Sequence, residues 1–369
     1  MSQKQWPTWL PLRKDLRGLS PYGAPQVPAE ATLNTNENPY APSPKLIAAI
    51  TDRVAHVAST LNRYPDRDAT NLRARLAEYI NEQSGTSFDV ENIWAANGSN
   101  EIIQTLYLAF GSRPTLGFTP SYSMHPLIAK VVGVDWHDGG RRPDFTLDID
   151  VASRQVQQLC PALTFITTPN NPTGTKVSLS EIKVMAEATK SVEGLLIVDE
   201  AYAEFDEEGS AVSLVDEYPN IVVVRTMSKA FAFAGARLGY LVANPELVQA
   251  LFLVRLPYHL SALTQAAAEV ALEYRQELLG TVSKLIESRK NVVTQLETMG
   301  LIVVPSAANF ILFTGFNIPA PQLWQMMLDR GVLIRDVGLS GYIRMTIGND
   351  AENAKFLEAL KDILNGDKQ

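Results

Sequence analysis

Lys229 stands in the run Thr226-Met227-Ser228-Lys229, closely followed by Arg237 within Ala234-Gly235-Ala236-Arg237-Leu238-Gly239. Two hydroxyls, an amine and a guanidinium among small neighbours suit a phosphate-bearing carbonyl compound. Thr226, Ser228 and Arg237 can grip the phosphate, the arginine by a bidentate fork, which leaves the Lys229 amine to attack the carbonyl and form a Schiff base. A strand followed by a basic turn with solvated charges would carry the same letters. A second stretch, Asn97-Gly98-Ser99-Asn100, has the chemistry of an anion cradle. Gly98 permits a backbone angle closed to other residues, and the Ser99 and Asn100 amides can donate to a phosphate from a helix N-terminus. A third is Asp199, closing the apolar run Leu195-Leu196-Ile197-Val198. An acid there can hold a pyridine nitrogen protonated, which makes the ring a stronger electron sink, although strand-end aspartates also serve many metal and phosphate enzymes. Registered together, the three stretches describe a pyridoxal 5'-phosphate site.

These residues need strands that end side by side. Ile221 to Val224 reads as a buried strand that delivers Thr226 to Lys229 at its C-terminal end, where ligands bind in open α/β sheets. Ile93 to Ala96 does the same for the glycine cradle, and Leu116 to Phe118 runs into Thr119-Pro120-Ser121-Tyr122. The Tyr122 ring can stack on a pyridine face or simply pack. Thr164 to Thr168 closes in the turn Pro169-Asn170-Asn171-Pro172-Thr173-Gly174, which presents the Asn171 amide to the phenolate oxygen of the ring. Tyr202 would join it there, helping to lower the Schiff-base pKa. The alternation of strand and helix from Leu72 to Tyr240 predicts an α/β fold, a predominantly parallel sheet with helices on both faces. Dinucleotide and P-loop fingerprints are absent from it.

The flanks read differently. Residues 20 to 44 are dense in proline and asparagine and predict an extended arm, ended by Ser43-Pro44 as the cap and first position of a helix carrying Leu46, Ile47, Ile50 and Val54. Asn62-Arg63-Tyr64-Pro65-Asp66 is a turn in which Tyr64 can be an ordinary packed residue. Past Leu247 the pattern breaks at Val254 to Ser261, and short strands near 302–304, 309–313, 331–335 and 342–348 suit a smaller α+β domain. We therefore divide the chain into an arm (1–45) packing with the small domain, a large cofactor-binding domain (46–256) and a small C-terminal domain (257–369). In the last strand Tyr342, Arg344 and Thr346 share one face, away from Ile343, Met345 and Ile347. Arg335 beside Asp336 has the form of a surface pair, and His259 that of a packed histidine.

Composition narrows the function classes. Of 369 residues 46% are hydrophobic and 20% charged, enough to bury a core without staples. A net charge of −8 speaks against nucleic acid as a partner. The single cysteine, Cys160, excludes an internal disulfide and is expected to be buried; with four unpaired histidines, no metal site is expected. The sequence has no run near the ~18 apolar residues of a membrane span and no secretory signal, so the cytoplasm is the expected compartment.

Ser228-Lys229-Ala230-Phe231 running into Ala234 to Gly239 resembles the lysine signature of the fold type I pyridoxal phosphate aminotransferases, and among them of the histidinol-phosphate aminotransferases. The resemblance runs from about Tyr22 to Gly348. It implies that Asn34-Thr35-Asn36-Glu37-Asn38-Pro39 is an arm across the active-site mouth, that Tyr122 stacks on the ring, and that Tyr22 meets the substrate phosphate. It implies further that Arg335 and Arg344 face the substrate with Asn36 and Asn309 assisting. Tyr64 of the Arg-Tyr-Pro motif would reach the cofactor phosphate of a neighbouring subunit, which makes the enzyme a homodimer. The implied reaction interconverts histidinol phosphate plus 2-oxoglutarate with imidazole acetol phosphate plus glutamate, through Lys229, Asp199 and Tyr202. An aromatic amino-acid aminotransferase and a decarboxylase of a phosphorylated amino acid remain alternatives at this stage.

Overall fold

The computed structural model describes residues 6–21 and 23–366. Its strands are β1 (Ala31–Thr32), β2 (Ile93–Ala96), β3 (Thr115–Gly117), β4 (Trp136–Asp138), β5 (Leu163–Thr167), β6 (Leu195–Asp199), β7 (Ile221–Thr226), β8 (Gly239–Ala243), β9 (Ile302–Val303), β10 (Phe310–Thr314), β11 (Val332–Leu333) and β12 (Ile343–Thr346). The helices are α1 (Pro44–Ala58), α2 (Thr70–Ser84), α3 (Ser99–Phe110), α4 (Met124–Val132), α5 (Ile149–Leu159), α6 (Leu179–Ser191), α7 (Pro245–Leu251), α8 (Ala262–Glu273), α9 (Arg275–Thr298), α10 (Ala320–Leu328) and α11 (Asp350–Gly366).

Seven strands form one sheet in the order β2-β8-β7-β6-β5-β3-β4. From β7 to β4 the neighbours are parallel; β8 alone runs against both β2 and β7. Strands β2, β3, β5, β7 and β8 are buried along their whole length, which is why they read in sequence as unbroken apolar runs. One apolar cluster, including Trp94, Phe165 and Val224, fills one face of the sheet, while Ile166, Val198 and Val223 face a larger cluster on the other. The parallel strands bring residues 97–100, 119–122, 168–171, 199–202 and 226–229 to a common edge.

Local chemistry sets the helix starts, at α1 as expected. The Ser43 hydroxyl accepts from the Leu46 amide with proline at the first position of α1, and Ser178 and Glu181 close a capping box on α6. Cys160 departs from expectation: it is exposed and free. It ends α5 in the left-handed region at φ 49°, so the chain turns there and carries the side chain outward rather than into the core.

A smaller antiparallel sheet, β12-β10-β9, packs beside α9, and α8 lies along α1 and α2. The N-terminal arm joins this region through main-chain bonds: β1 pairs in parallel with β11, and the Leu33 carbonyl accepts from the Thr346 amide. Residues 34–37 are thereby led across the edge where the large sheet ends.

Candidate active site

That edge borders a cavity of about 470 Å³. Its walls come from the arm (Asn34 to Glu37), the start of α3 (Ser99, Asn100), the loop before α4 (Ser121 to Ser123), strand ends (Thr167, Asn171, Asp199, Tyr202), the lysine loop and the C-terminal arginines. The strand ends of the large sheet bring the stretches between Ser99 and Arg237 together, and the arm and the C-terminal arginines close over them from the small-sheet side.

One end is built for an anion. The Thr226 and Ser228 hydroxyls lie 3.0 Å apart, and an Arg237 Nη stands 3.5 Å from Ser228 Oγ. Opposite them α3 begins at Ser99, under the favourable end of its dipole. Gly98 holds φ 84°, and a Cβ there would lie 2.6 Å from the Arg237 guanidinium. Gly239 pairs with both Ala96 and Thr226, and a Cβ on it would lie 2.4 Å from the Ser99 amide nitrogen. Both glycines are therefore required for the two walls to close on one small anion.

At the other end Asp199 is 2% exposed; its Oδ2 lies 2.9 Å from His125 Nε2 and its Oδ1 accepts from the Ala201 amide. A carboxylate accepts only, so the His125 proton sits on Nε2, and the buried Nδ1 has no hydrogen-bond partner among the described residues. Between the ends, the Tyr202 hydroxyl accepts from Asn36 Nδ2 at 2.9 Å and Asn171 Nδ2 at 3.4 Å. Tyr122 spans the opposite side, its hydroxyl donating to Asn100 Oδ1 at 3.1 Å.

Lys229 projects between these groups. Its Nζ donates to the Thr35 carbonyl at 2.9 Å and lies 6.0 Å from the centre of the Tyr202 ring. Burial pushes the amine down to about 8, helped by the Arg344 and Arg237 cations and opposed by Glu37. A lysine so placed is a nucleophile near neutral pH, where a solvated one is almost wholly protonated. Phosphate grip, flanking ring, sunken acid and reactive amine, in that arrangement, fit pyridoxal 5'-phosphate.

Comparison with known proteins agrees. The family described as "Aminotransferase class I and II" matches residues 30–360. The histidinol-phosphate aminotransferase of Mycobacterium avium (strain 104) is 54% identical over 95% of this chain and 88% of its own length. That of Mycobacterium marinum is 55% identical over 95% and 91%. The chain belongs to the class I and II aminotransferases, in their histidinol-phosphate branch. In structure, the Sinorhizobium meliloti histidinol-phosphate aminotransferase in complex with pyridoxal-5'-phosphate superposes with a TM-score of 0.83 at 25% identity, covering 96% of this chain and 98% of the other.

Against this aminotransferase frame the expected site residues divide. Lys229, Asp199, Tyr202, Ser99, Asn100, Tyr122, Asn171, Thr226, Ser228, Arg237, Asn36, Arg335 and Arg344 all line the one cavity. Asn309 does not: it lies beneath the arm, donating to the Asn36 carbonyl at 3.1 Å. Tyr64 is 80% exposed and stacks on Tyr258 with ring centres 4.5 Å apart. Tyr22 lies outside the described residues. His259 packs on Trp94, its Nε2 2.9 Å from the Ala95 carbonyl. Sequence reading passed over His125, weighed only as a metal ligand; its place three residues after Tyr122, at the start of a helix, was the available signal. Thr35 and Glu37 also line the cavity, and no local pattern in the arm assigns either a role.

The two arginines meet in an unusual way. Arg335 and Arg344 form an isolated antiparallel bridge, each amide bonded to the other's carbonyl at 3.0 Å. Arg344 donates to Asn171 Oδ1 at 2.5 Å and to the Asn34 carbonyl at 2.7 Å. Like charges directly opposite across a ladder repel. An anion in the cavity would relieve that repulsion.

Proposed function

We propose that this aminotransferase exchanges an amino group between histidinol phosphate and 2-oxoglutarate, giving imidazole acetol phosphate and glutamate, with pyridoxal 5'-phosphate as its resident cofactor. The observation that carries the substrate assignment is the Arg335–Arg344 bridge on the cavity wall. One pocket must hold a carboxylate in one half-reaction and a phosphate ester in the other. A pair of guanidinium forks suits both anions.

The cofactor, when bound, supplies an electron sink for the pair left by a broken Cα–H bond. Thr226, Ser228, Arg237 and the Ser99 and Asn100 amides hold its phosphate. Asp199, oriented by His125, would pair with its ring nitrogen; Asn171 and Tyr202 would meet its phenolate oxygen, and Tyr122 would flank the ring. Lys229 Nζ, in its neutral form, would be the base that takes the proton from the substrate Cα and holds it within the cavity for return. Asn309 supports the arm from below.

Arg335→Ala is expected to lower kcat/KM for histidinol phosphate about 100-fold, the loss of one charge-assisted contact, while cofactor affinity stays unchanged. Unaltered turnover, or a wild-type preference for phenylalanine over histidinol phosphate, would overturn the assignment.

A cytoplasmic homodimer completes the reading. Leu61, Tyr64, Leu253, Leu256 and Tyr258 are exposed apolar side chains on two loops joined by the Tyr64–Tyr258 stack, a patch of the kind subunit contacts cover. The free thiol of Cys160 suits a reducing compartment. Sedimentation should give a dimer, and Tyr64→Ala should bind pyridoxal phosphate about tenfold more weakly, as the loss of one hydrogen bond to phosphate predicts. A fully active monomer would refute it.

A further inference from the structure

We propose that Glu37 is a specificity-determining residue whose carboxylate accepts a hydrogen bond from the N–H of a heteroaromatic ring on the amino donor. The inference rests on the histidinol phosphate reading above and adds how the ring end of that substrate is told from a plain aromatic ring.

The cavity is rich in donors. Among the described residues Lys229, Arg237, Arg335 and Arg344 line it against two acids, Asp199 and Glu37. Asp199 is sunk at the inner end, both oxygens engaged by His125 and the Ala201 amide. Glu37 stands exposed at the mouth. It accepts from Thr35 Oγ1 at 2.9 Å and takes part in no salt bridge among the described residues, which leaves a carboxylate with acceptor capacity to spare. Of the neutral acceptors on the same wall, Asn171 Oδ1 is engaged by Arg344, Asn36 Oδ1 by Thr346 and the Tyr202 hydroxyl by two amides, while Asn34 Oδ1 is buried away from solvent.

The backbone beside Glu37 is fixed. Asn36 sits at φ 56° and makes four bonds: its amide to Thr346 Oγ1, its carbonyl from Asn309, its Nδ2 to Tyr202 and its Oδ1 from Thr346. That clamp turns the Thr35 carbonyl to Lys229 on one side and leaves Glu37 on the cavity wall on the other. An imidazole presents one N–H when neutral and two when protonated, and no arginine, lysine or amide N–H can pair with it. A carboxylate can, with a stronger bond to the charged ring. Phenylalanine and glutamate offer nothing for Glu37 to accept beyond the reacting amine.

The test is single-turnover kinetics of the holoenzyme with one amino donor at a time, read from the cofactor spectrum, for the wild type, Glu37→Gln and Glu37→Ala. With histidinol phosphate, Glu37→Ala is expected to lower kcat/KM by about 10- to 100-fold, and Glu37→Gln by less because its amide oxygen still accepts. Because Glu37 also acts on the Lys229 amine, which every donor meets, the deciding readout is the ratio of kcat/KM for histidinol phosphate to that for glutamate or phenylalanine, which should fall about 10- to 100-fold in Glu37→Ala. Equal losses for glutamate and histidinol phosphate would overturn the proposal by placing the effect at Lys229, and so would no loss at all. A wild type that does not turn over histidinol phosphate would remove the parent reading and this one together; a wild type that does, with an indifferent Glu37→Ala, removes this one alone.

Discussion

Lys229→Ala is expected to lower turnover by about 10⁴-fold and to remove the near-visible band of the purified protein, while cofactor phosphate is still bound. Among the described residues Lys229 is the sole lysine lining the cavity, so none of them offers a second amine to take over its work. The grip formed by Thr226, Ser228 and Arg237 does not pass through its side chain; those groups contact each other at 3.0 and 3.5 Å. Binding and chemistry should therefore separate: the variant retains phosphate affinity and loses proton transfer. A short primary amine added to the solution should restore part of the rate, because the cavity left by the side chain is open to it. Activity within tenfold of wild type would rule out Lys229 as the group that moves the proton.

The same amine sets a pH dependence in the apoprotein. Only the neutral form attacks a carbonyl, and burial with two nearby cations brings half-deprotonation down to about 8 from the usual 10.5. The rate of pyridoxal phosphate capture should accordingly rise with pH, pass half-maximum near 8 and level off above it. In Arg344→Ala one of those cations is gone, so the midpoint should move up. Stopped-flow absorbance across pH 6 to 10 measures both; a midpoint near 10 in the wild type would contradict the geometry around the amine.

How far this site was legible in sequence depended on chain separation. Thr226, Ser228, Lys229 and Arg237 sit on one loop, so their convergence followed from local spacing, and Asp199 and the Gly98 cradle followed from apolar runs that ended in a polar residue. The parallel sheet was legible for the same reason, since buried strands leave little choice of residue. Partners across elements were not. The bond from Asn36 to Tyr202 and the bridge between Arg335 and Arg344 depend on how the arm and the small sheet lie against the large one, which no local pattern encodes. His125 was hidden because a lone histidine on an apolar helix is usually a core residue; its value lies in facing a carboxylate 74 positions away. Cys160 misled for the opposite reason. Its apolar neighbours suggested burial, and a left-handed helix end turned it out.

Asp199→Ala should cost about 10³-fold in kcat, the scale of losing a preorganised electrostatic partner in a water-poor site. The carboxylate lies at the end of a fully parallel-paired strand, 2% exposed, with no salt bridge to a lysine or arginine among the described residues. A buried negative charge without a cation is costly, and one histidine N–H and one amide only partly offset that cost. A protonated pyridine nitrogen supplies the missing cation, so cofactor and acid stabilise each other. Asp199→Asn keeps the shape and discards the charge, and it should lose nearly as much as the alanine variant. His125→Leu removes a single hydrogen bond to the acid while leaving its charge; a tenfold fall in kcat with unchanged KM is the expected result. The order of the three variants is the discriminating measurement. An Asp199→Asn enzyme close to wild type would mean that the acid serves only to place the ring, and that the cavity withdraws electrons by some other group.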